Sequence, residues 1–142
     1  MNRAVALVLL LLGGLIAAPG CSRTCQPAVH DGWIRPGPPS MPMRAGFGTI
    51  VNDCPAPLVI TGASSAGFAD VSLHETTEVD GVSRMRPLVE LTVPAEGEAV
   101  LQPGGLHLML ADPRAELVAG QSLAIDFALR DGGTLRGEFE VR

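Results

Sequence analysis

Proline and glycine divide this chain into short segments, and that spacing limits what it can fold into more than any other feature. The 142 residues include 12 prolines and 17 glycines. No long stretch repeats its apolar residues at helical period, and most segments alternate apolar with polar residues or are rich in β-branched ones. Turn sequences such as VDG, PAEGE, PGG and DGG separate them. The pattern predicts an antiparallel β-sandwich or Greek-key barrel.

Nine segments are predicted as strands: AVHDGWIR, AGFGTIVN, PLVITGAS, DVSLHETTE, GVSRMRPL, EAVLQP, GLHLML, SLAIDFALR and TLRGEFEVR. The segment DPRAELVAGQ, residues 112–121, is a candidate for one helical turn. The segment RPGPPSMPMR, residues 35–44, is expected to be an ordered loop, because its prolines restrict the backbone.

The first residues have the layout of a secretory signal. Arg3 precedes an apolar run from Ala4 to Leu12, which small residues follow. The run is too short to span a membrane comfortably. We therefore expect a signal peptide over residues 1–20.

The end of that signal, AAPGC, resembles a bacterial lipobox, which would place a lipid on the sulfur of Cys21. Ala18 stands where lipoboxes usually have leucine, and Pro19 is also unusual there. Cleavage nearby without a lipid is the alternative. Residues 21–27 would form an N-terminal tether, and residues 28–142 the folded domain.

Charge and composition narrow the range of partners. The chain has a net charge of −5, and all ten of its basic residues are arginines with no basic cluster. These features argue against nucleic acid as a partner. Membrane contact is expected only through the N-terminal lipid, and the domain is expected to be a monomer.

Two cysteines other than Cys21 are expected to pair. In an oxidising compartment the default for Cys25 and Cys54 is a disulfide. Closing a loop of that length would add roughly 3–4 kcal/mol of stability in the chain-entropy model. Two free buried thiols are the alternative. CSRTC matches neither a haem attachment sequence nor the Cys-x-x-Cys of a thiol oxidoreductase.

Two segments place a histidine and a methionine on one strand face. In GLHLML, His107 and Met109 alternate with leucines and so share a face. In the second segment, Asp80-Gly81 is a strong two-residue hairpin turn. That register pairs Thr76 with Met85, which makes His74 and Met85 diagonal neighbours, roughly 7–8 Å apart at the backbone.

Thioether and imidazole together suit Cu(I), which accepts soft ligands. Zinc would prefer thiolate or carboxylate with imidazole. A blue-copper centre needs a cysteine thiolate beside a histidine and a methionine, and Cys54 has no such neighbours in the sequence. The alternative is that each methionine fills the core and each histidine is a surface residue.

The spacing of these two histidines and two methionines along the sequence is also informative. His74, Met85, His107 and Met109 follow the pattern H-x10-M-x21-H-x-M. This pattern resembles that of the periplasmic copper chaperones of the PCu(A)C type. The surrounding ASSAGFADVSLHET, DGVSRMRPL, PGGLHLML and GWIRPGPP resemble the same family, so that the likeness covers roughly residues 28 to 142.

The resemblance implies a cupredoxin-like β-sandwich that binds copper as Cu(I) through those four side chains. It implies no enzymatic activity, but delivery of copper to an acceptor. The acceptor would be a cytochrome c oxidase subunit, at the dinuclear copper A centre, or a thiol-type assembly factor. Copper buffering or tolerance is one alternative, and a metal-free adhesion or assembly lipoprotein is another.

The chain departs from the family at Glu75, where many members have a methionine directly after the first histidine. The departure removes a spare thioether but none of the four ligands. The cysteine pair lies outside the family signature. Met41 and Met43, in the proline-rich loop, could approach the metal, although loop packing is the preferred interpretation. Arg84 and Arg86 are expected to be solvated on the strand face opposite Met85.

Overall fold

A computed structural model describes residues 24–142, which are all-β. The predicted signal peptide and Cys21 lie outside these residues. The strands are β1 (Ala28–Arg35), β2 (Met43–Asn52), β3 (Leu58–Ser64), β4 (Phe68–Val79), β5 (Val82–Pro87), β6 (Leu91–Val93), β7 (Gly97–Leu101), β8 (Leu106–Pro113), β9 (Ser122–Leu129) and β10 (Thr134–Val141). The predicted all-β class is confirmed.

The strands form one closed sheet. Their order is β5-β4-β8-β7-β2-β1-β10-β9-β3-β6, with further pairings of β4 with β3 and of β8 with β2. The β3–β4 pairing closes the barrel, and β5 is left as an edge strand beyond β4. Most pairs are antiparallel, but β1–β10 and β7–β8 are parallel. The predicted antiparallel architecture thus holds for the other pairs, and these two are exceptions within it.

Local differences from the sequence analysis have simple causes. Strand β6 has three residues, too few for its alternation to stand out. Residues 112–121 contain no helical turn, because β8 continues to Pro113 and a turn follows at residues 119 and 120. Strand β2 begins at Met43, so the proline-rich loop is shorter than predicted.

The predicted hairpin register is confirmed. Val79 pairs with Val82, Thr76 with Met85 and His74 with Pro87. Asp80 and Gly81 both have positive φ, at 53° and 74°. Two consecutive positive φ values are what a type I′ turn requires, and the twist of that turn matches the twist of the strands it joins.

The core lies inside the barrel and consists almost entirely of aliphatic and phenylalanine side chains. Its largest fully buried members include Phe68, Phe127, Phe139, Ile34, Leu108 and Leu110. Within residues 24–142, no methionine belongs to this core. The leucines of GLHLML point into it, so that His107 and Met109 point to the other face of β8.

A disulfide joins Cys25 to Cys54, the pair predicted from the sequence, with an S–S distance of 2.07 Å. It ties the segment before β1 to the loop after β2, where the backbone N–H of Gln26 also donates to Asp53 Oδ1 at 2.8 Å. In residues 24–142, no helix is long and apolar enough to cross a membrane.

Candidate metal centre

Three neighbouring strands, β5, β4 and β8, carry the predicted ligands on the face that points away from the core, and β2 continues this face beyond β8. We call this the histidine face. His74 on β4 lies directly opposite His107 on β8, and Ser72 lies opposite Met109. Met85 on β5 lies opposite Thr76. Since directly paired residues of antiparallel strands point to the same side, the fold brings all four predicted ligands to one face.

His107 is held in one tautomer. Its Nδ1 lies 2.9 Å from the carbonyl oxygen of Gly105. A carbonyl can only accept, so Nδ1 carries the proton and donates it, and Nε2 presents its lone pair. A hydrogen bond of this kind on the distal nitrogen fixes the ring of a metal-ligating histidine.

The lone pair of His107 Nε2 points at a second electron-pair donor. Met85 Sδ lies 3.2 Å from it. In the neutral ring, in which only Nδ1 is protonated, neither atom offers a hydrogen to the other. The two donors thus converge without a hydrogen bond between them, an arrangement that a soft cation would stabilise.

His74 has an unsatisfied nitrogen. Its Nδ1 is buried and has no hydrogen-bond partner. Its ring lies nearly parallel to that of His107, at 27°, with the centroids 6.0 Å apart. Buried polar atoms are nearly always hydrogen-bonded, and an exception requires an explanation such as an ion.

The two methionines differ in exposure. Met85 is 53% exposed on an edge strand whose six residues are all exposed. Met109 is half-buried in the middle of β8 and lies diagonal to His74 across the β4–β8 pair. One thioether is thus open to solvent, while the other is enclosed by the sheet.

An aromatic group supports His107 from the β2 side. The Phe47 ring is 6.5 Å from the His107 ring, and Trp33 packs on Phe47 with the centroids 4.6 Å apart. The Arg35 guanidinium lies over both rings, 5.1 Å from the centroid of Phe47. The sequence analysis gave none of these three a role. Their pairing depends on a bulge in the β1–β2 register, between His30 and Trp33, which alternation alone does not reveal.

The other face of the β4–β5 hairpin is an ordinary polar surface. Arg86 donates to Glu75 Oε2, with Nη2 at 2.6 Å. Glu75, the departure from the family pattern, therefore points away from the histidines and forms an exposed ion pair. Arg84 is exposed on the same side, as expected.

Cysteine offers no thiolate to the histidine face within the described residues. Cys25, Cys54 and Asp53 place potential ligand atoms within 4.8 Å of one another. Both sulfurs are consumed by the disulfide, however, and the group lies beyond the end of β2. The four predicted ligands on this face are thus imidazoles and thioethers, with no thiolate among them.

Met41 and Met43 differ in their position in the fold and in their exposure to solvent. Met41 lies in the loop and is 51% exposed, whereas Met43 begins β2 and is 37% exposed. Met43 pairs with Ala111 of β8, which places it on the histidine face. Assigning both methionines to loop packing is thus wrong for Met43.

The sequence matches one family over nearly all of the described domain. Residues 27–141 match the family described as "Putative lipoprotein LpqE-like". The chain belongs to the LpqE-like family. A curated relative, "Putative lipoprotein Lxx21020" of Leifsonia xyli subsp. xyli (strain CTCB07), is 31% identical over 107 residues. The match covers 75% of this chain and 63% of the relative, so the chain spans less than two thirds of that protein.

Solved structures share the fold of this LpqE-like chain. The solution structure of CuI-DR1885 from Deinococcus radiodurans has a TM-score of 0.66 and 28% identity, covering 92% of this chain and 83% of that one. The copper-bound PCuAC domain from PmoF2 has a TM-score of 0.65 and 18% identity, covering 80% and 90%. The likeness to PCuAC domains and the cupredoxin-like fold are therefore confirmed.

Proposed function

We propose that this chain is an exported copper chaperone whose domain binds one Cu(I) ion through His74, Met85, His107 and Met109. The observation that carries the proposal is the approach of His107 Nε2 to Met85 Sδ at 3.2 Å, which brings an imidazole nitrogen and a thioether sulfur within reach of one ion. The unpartnered Nδ1 of His74, buried on the same face, supports it.

The donor set favours Cu(I) over other ions. Two thioethers and two neutral imidazoles carry no charge, and soft Cu(I) gains more from thioethers than zinc does. Cu(I) in the DR1885 structure agrees with this choice. Because no ligand is anionic, Cu(I) can leave for a thiolate acceptor without a large electrostatic cost.

The placement of Met85 favours delivery over storage. An edge strand with an exposed thioether allows an acceptor to approach the ion without unfolding the sheet. The acceptor we propose is a cytochrome c oxidase subunit, at the copper A centre, or a thiol-type assembly factor. The chain itself turns over no substrate. Copper buffering would use the same site without a dedicated acceptor.

Export follows from the N-terminal sequence. We propose that residues 1–20 are a signal peptide, that Cys21 carries a lipid, and that residues 21–27 tether the domain of residues 28–142 outside the cytoplasm. The family and the Leifsonia relative both carry the description lipoprotein. The Cys25–Cys54 disulfide also fits an oxidising compartment.

Titration with Cu(I) against a coloured chelator tests the proposal. The wild-type domain should take up one equivalent and hold it far more tightly than Zn(II), and His107→Ala should abolish tight binding. Asp126→Asn, which alters an exposed ion pair that shares no partner with the four proposed ligands, is the control. Equal affinity of wild type and His107→Ala would refute the site, and no Cu(I) uptake by the wild type would favour the metal-free lipoprotein.

A further inference from the structure

Methionine has an unusual distribution in the described chain. Within residues 24–142 the core contains none, although methionine ordinarily serves as a flexible core filler. Met85, Met109 and Met43 lie on the histidine face, and Met41 lies two residues before Met43. Met43 has no part in the proposed four-ligand site, yet it is a further thioether on the same sheet surface.

The register places Met43 beside Met109. Met43 pairs with Ala111, and Ala45 pairs with Met109. The two methionines therefore form one diagonal of a four-residue square, roughly 7–8 Å apart at the backbone. The two alanines form the other diagonal. Their methyl groups leave the space between the two thioethers open.

The backbone that carries Met43 is held in place. Arg44 is buried, and its Nη1 donates to the carbonyl of Met43 at 2.9 Å and also to that of Met41. The N–H of Asp112 donates to the carbonyl of Pro42 at 2.7 Å. Met43 is therefore presented from a fixed position, and only its side chain has to move to reach Met109.

We propose that Met43 is a transfer ligand, which binds Cu(I) only while the ion enters or leaves the main site. The inference rests on the proposed function. In the exchange, a bond from copper to a histidine nitrogen breaks as a bond to Met43 Sδ forms, and Met109 stays bonded throughout. Both exchanged ligands are neutral, the ion remains Cu(I), and no proton or electron moves.

The test compares Met43→Leu with Met41→Leu. Leucine keeps the apolar bulk and removes the sulfur, and Met41 is a more exposed thioether of the same segment. Each domain is loaded with one equivalent of Cu(I) and mixed in a stopped-flow instrument with excess bathocuproine disulfonate. Met43→Leu should slow the transfer by about tenfold, because the copper–sulfur bond that stabilises the transition state can no longer form. Met41→Leu should match the wild type.

A second variant tests the route itself. Ala111→Val retains every sulfur but fills the square between Met43 and Met109. It should also slow the transfer, with an unchanged equilibrium affinity.

The outcomes separate the two proposals. If the wild type takes up no Cu(I), the proposed function fails and this inference fails with it. If the wild type binds Cu(I) and Met43→Leu releases it at the wild-type rate, only the transfer role is refuted. If Met43→Leu lowers the equilibrium affinity, Met43 is a resident ligand, which also refutes a transient role.

Discussion

In two antiparallel strand pairs of this barrel, polar side chains lie directly opposite each other. The two pairs of side chains differ in whether the fold satisfies their hydrogen-bonding groups. On β9 and β10, Asp126 faces Arg136, and both carboxylate oxygens accept hydrogen bonds, at 2.7 and 2.8 Å. On β4 and β8, His74 faces His107, yet the rings do not hydrogen-bond to each other and His74 Nδ1 has no partner. The first pair is complete within the fold, whereas the second leaves a buried nitrogen without a partner, and we propose that Cu(I) completes it.

The difference shows how a common sheet surface becomes a binding site. Cross-strand pairs of opposite charge stabilise a sheet modestly, and β9–β10 uses its polar face in that way. On the histidine face, the directly opposed residues His74 and His107 form no such pair of opposite charges, so this stabilisation is absent there. On this face His107 Nε2 and Met85 Sδ lie 3.2 Å apart, and the Gly105 carbonyl holds the histidine ring in place.

His74→Ala should have an effect as large as that of His107→Ala. The imidazole makes no hydrogen bond through Nδ1, so its removal should change the free energy of unfolding of the apo domain little. Cu(I) affinity should fall by at least about a hundredfold, the upper range seen even for residues that only support a metal ligand. Chelator competition and urea denaturation measure the two quantities. A large drop in apo stability with unchanged affinity would make His74 a structural residue.

Removal of the disulfide should have the opposite pattern of effects: stability should fall while Cu(I) affinity stays the same. Replacing Cys25 and Cys54 by serine should lower the free energy of unfolding by roughly 3–4 kcal/mol, because the unfolded chain regains the freedom of the open loop. Cu(I) affinity of the folded domain should stay unchanged, since the pair lies beyond the end of β2. Non-reducing mass spectrometry should find the two peptides linked in the exported wild type. A bridge to Cys21 would overturn both the pairing and the lipid anchor.

Met85→Leu and Met109→Leu should have a smaller effect on the histidine face. Each variant keeps an apolar side chain of similar size, so folding should survive, and each should bind Cu(I) about tenfold more weakly, at the lower end of the range for perturbed metal sites. Chelator competition measures the change, with Met41→Leu as the control. If both variants bound Cu(I) as tightly as the wild type, these methionines would be packing residues.

The sequence predicted that the four candidate ligands share one sheet face, because the elements that place them there are local. The Asp80-Gly81 turn sets the register that carries Met85, and alternation along β8 puts His107 and Met109 on one face. What escaped prediction depends on contacts between distant segments. Arg44 anchors the loop before it, Phe47 and Trp33 meet across a bulge, and β1 runs parallel to β10. The extent of β2 was underestimated because Pro42 obscures its start, and this concealed Met43 on the histidine face.

The smallest effect is expected from Asp126→Asn, which removes the ion pair between Asp126 and Arg136. The hydrogen bond from Arg136 lowers the pKa of Asp126 below its usual value of 3.8. A carboxyl with a lowered folded-state pKa stabilises the fold above its unfolded pKa, and this stabilisation is lost as the pH falls through the folded-state value. The wild type should therefore be slightly more stable than Asp126→Asn at pH 7, and the difference should vanish well below pH 3.8. The effect stays small because both side chains are solvated.

Urea denaturation of both proteins at pH 7 and at pH 2 measures this difference, and Cu(I) affinity at pH 7 should be identical. A stability difference that persisted at pH 2 would mean that Asp126 acts through packing and not through its charge. An altered Cu(I) affinity would mean that the two faces are coupled, and the contrast between a pair completed by the fold and a pair completed by a ligand would no longer hold. Independence is expected because the two pairs share no residue and no hydrogen-bond partner, and substitutions at sites without shared partners usually act additively.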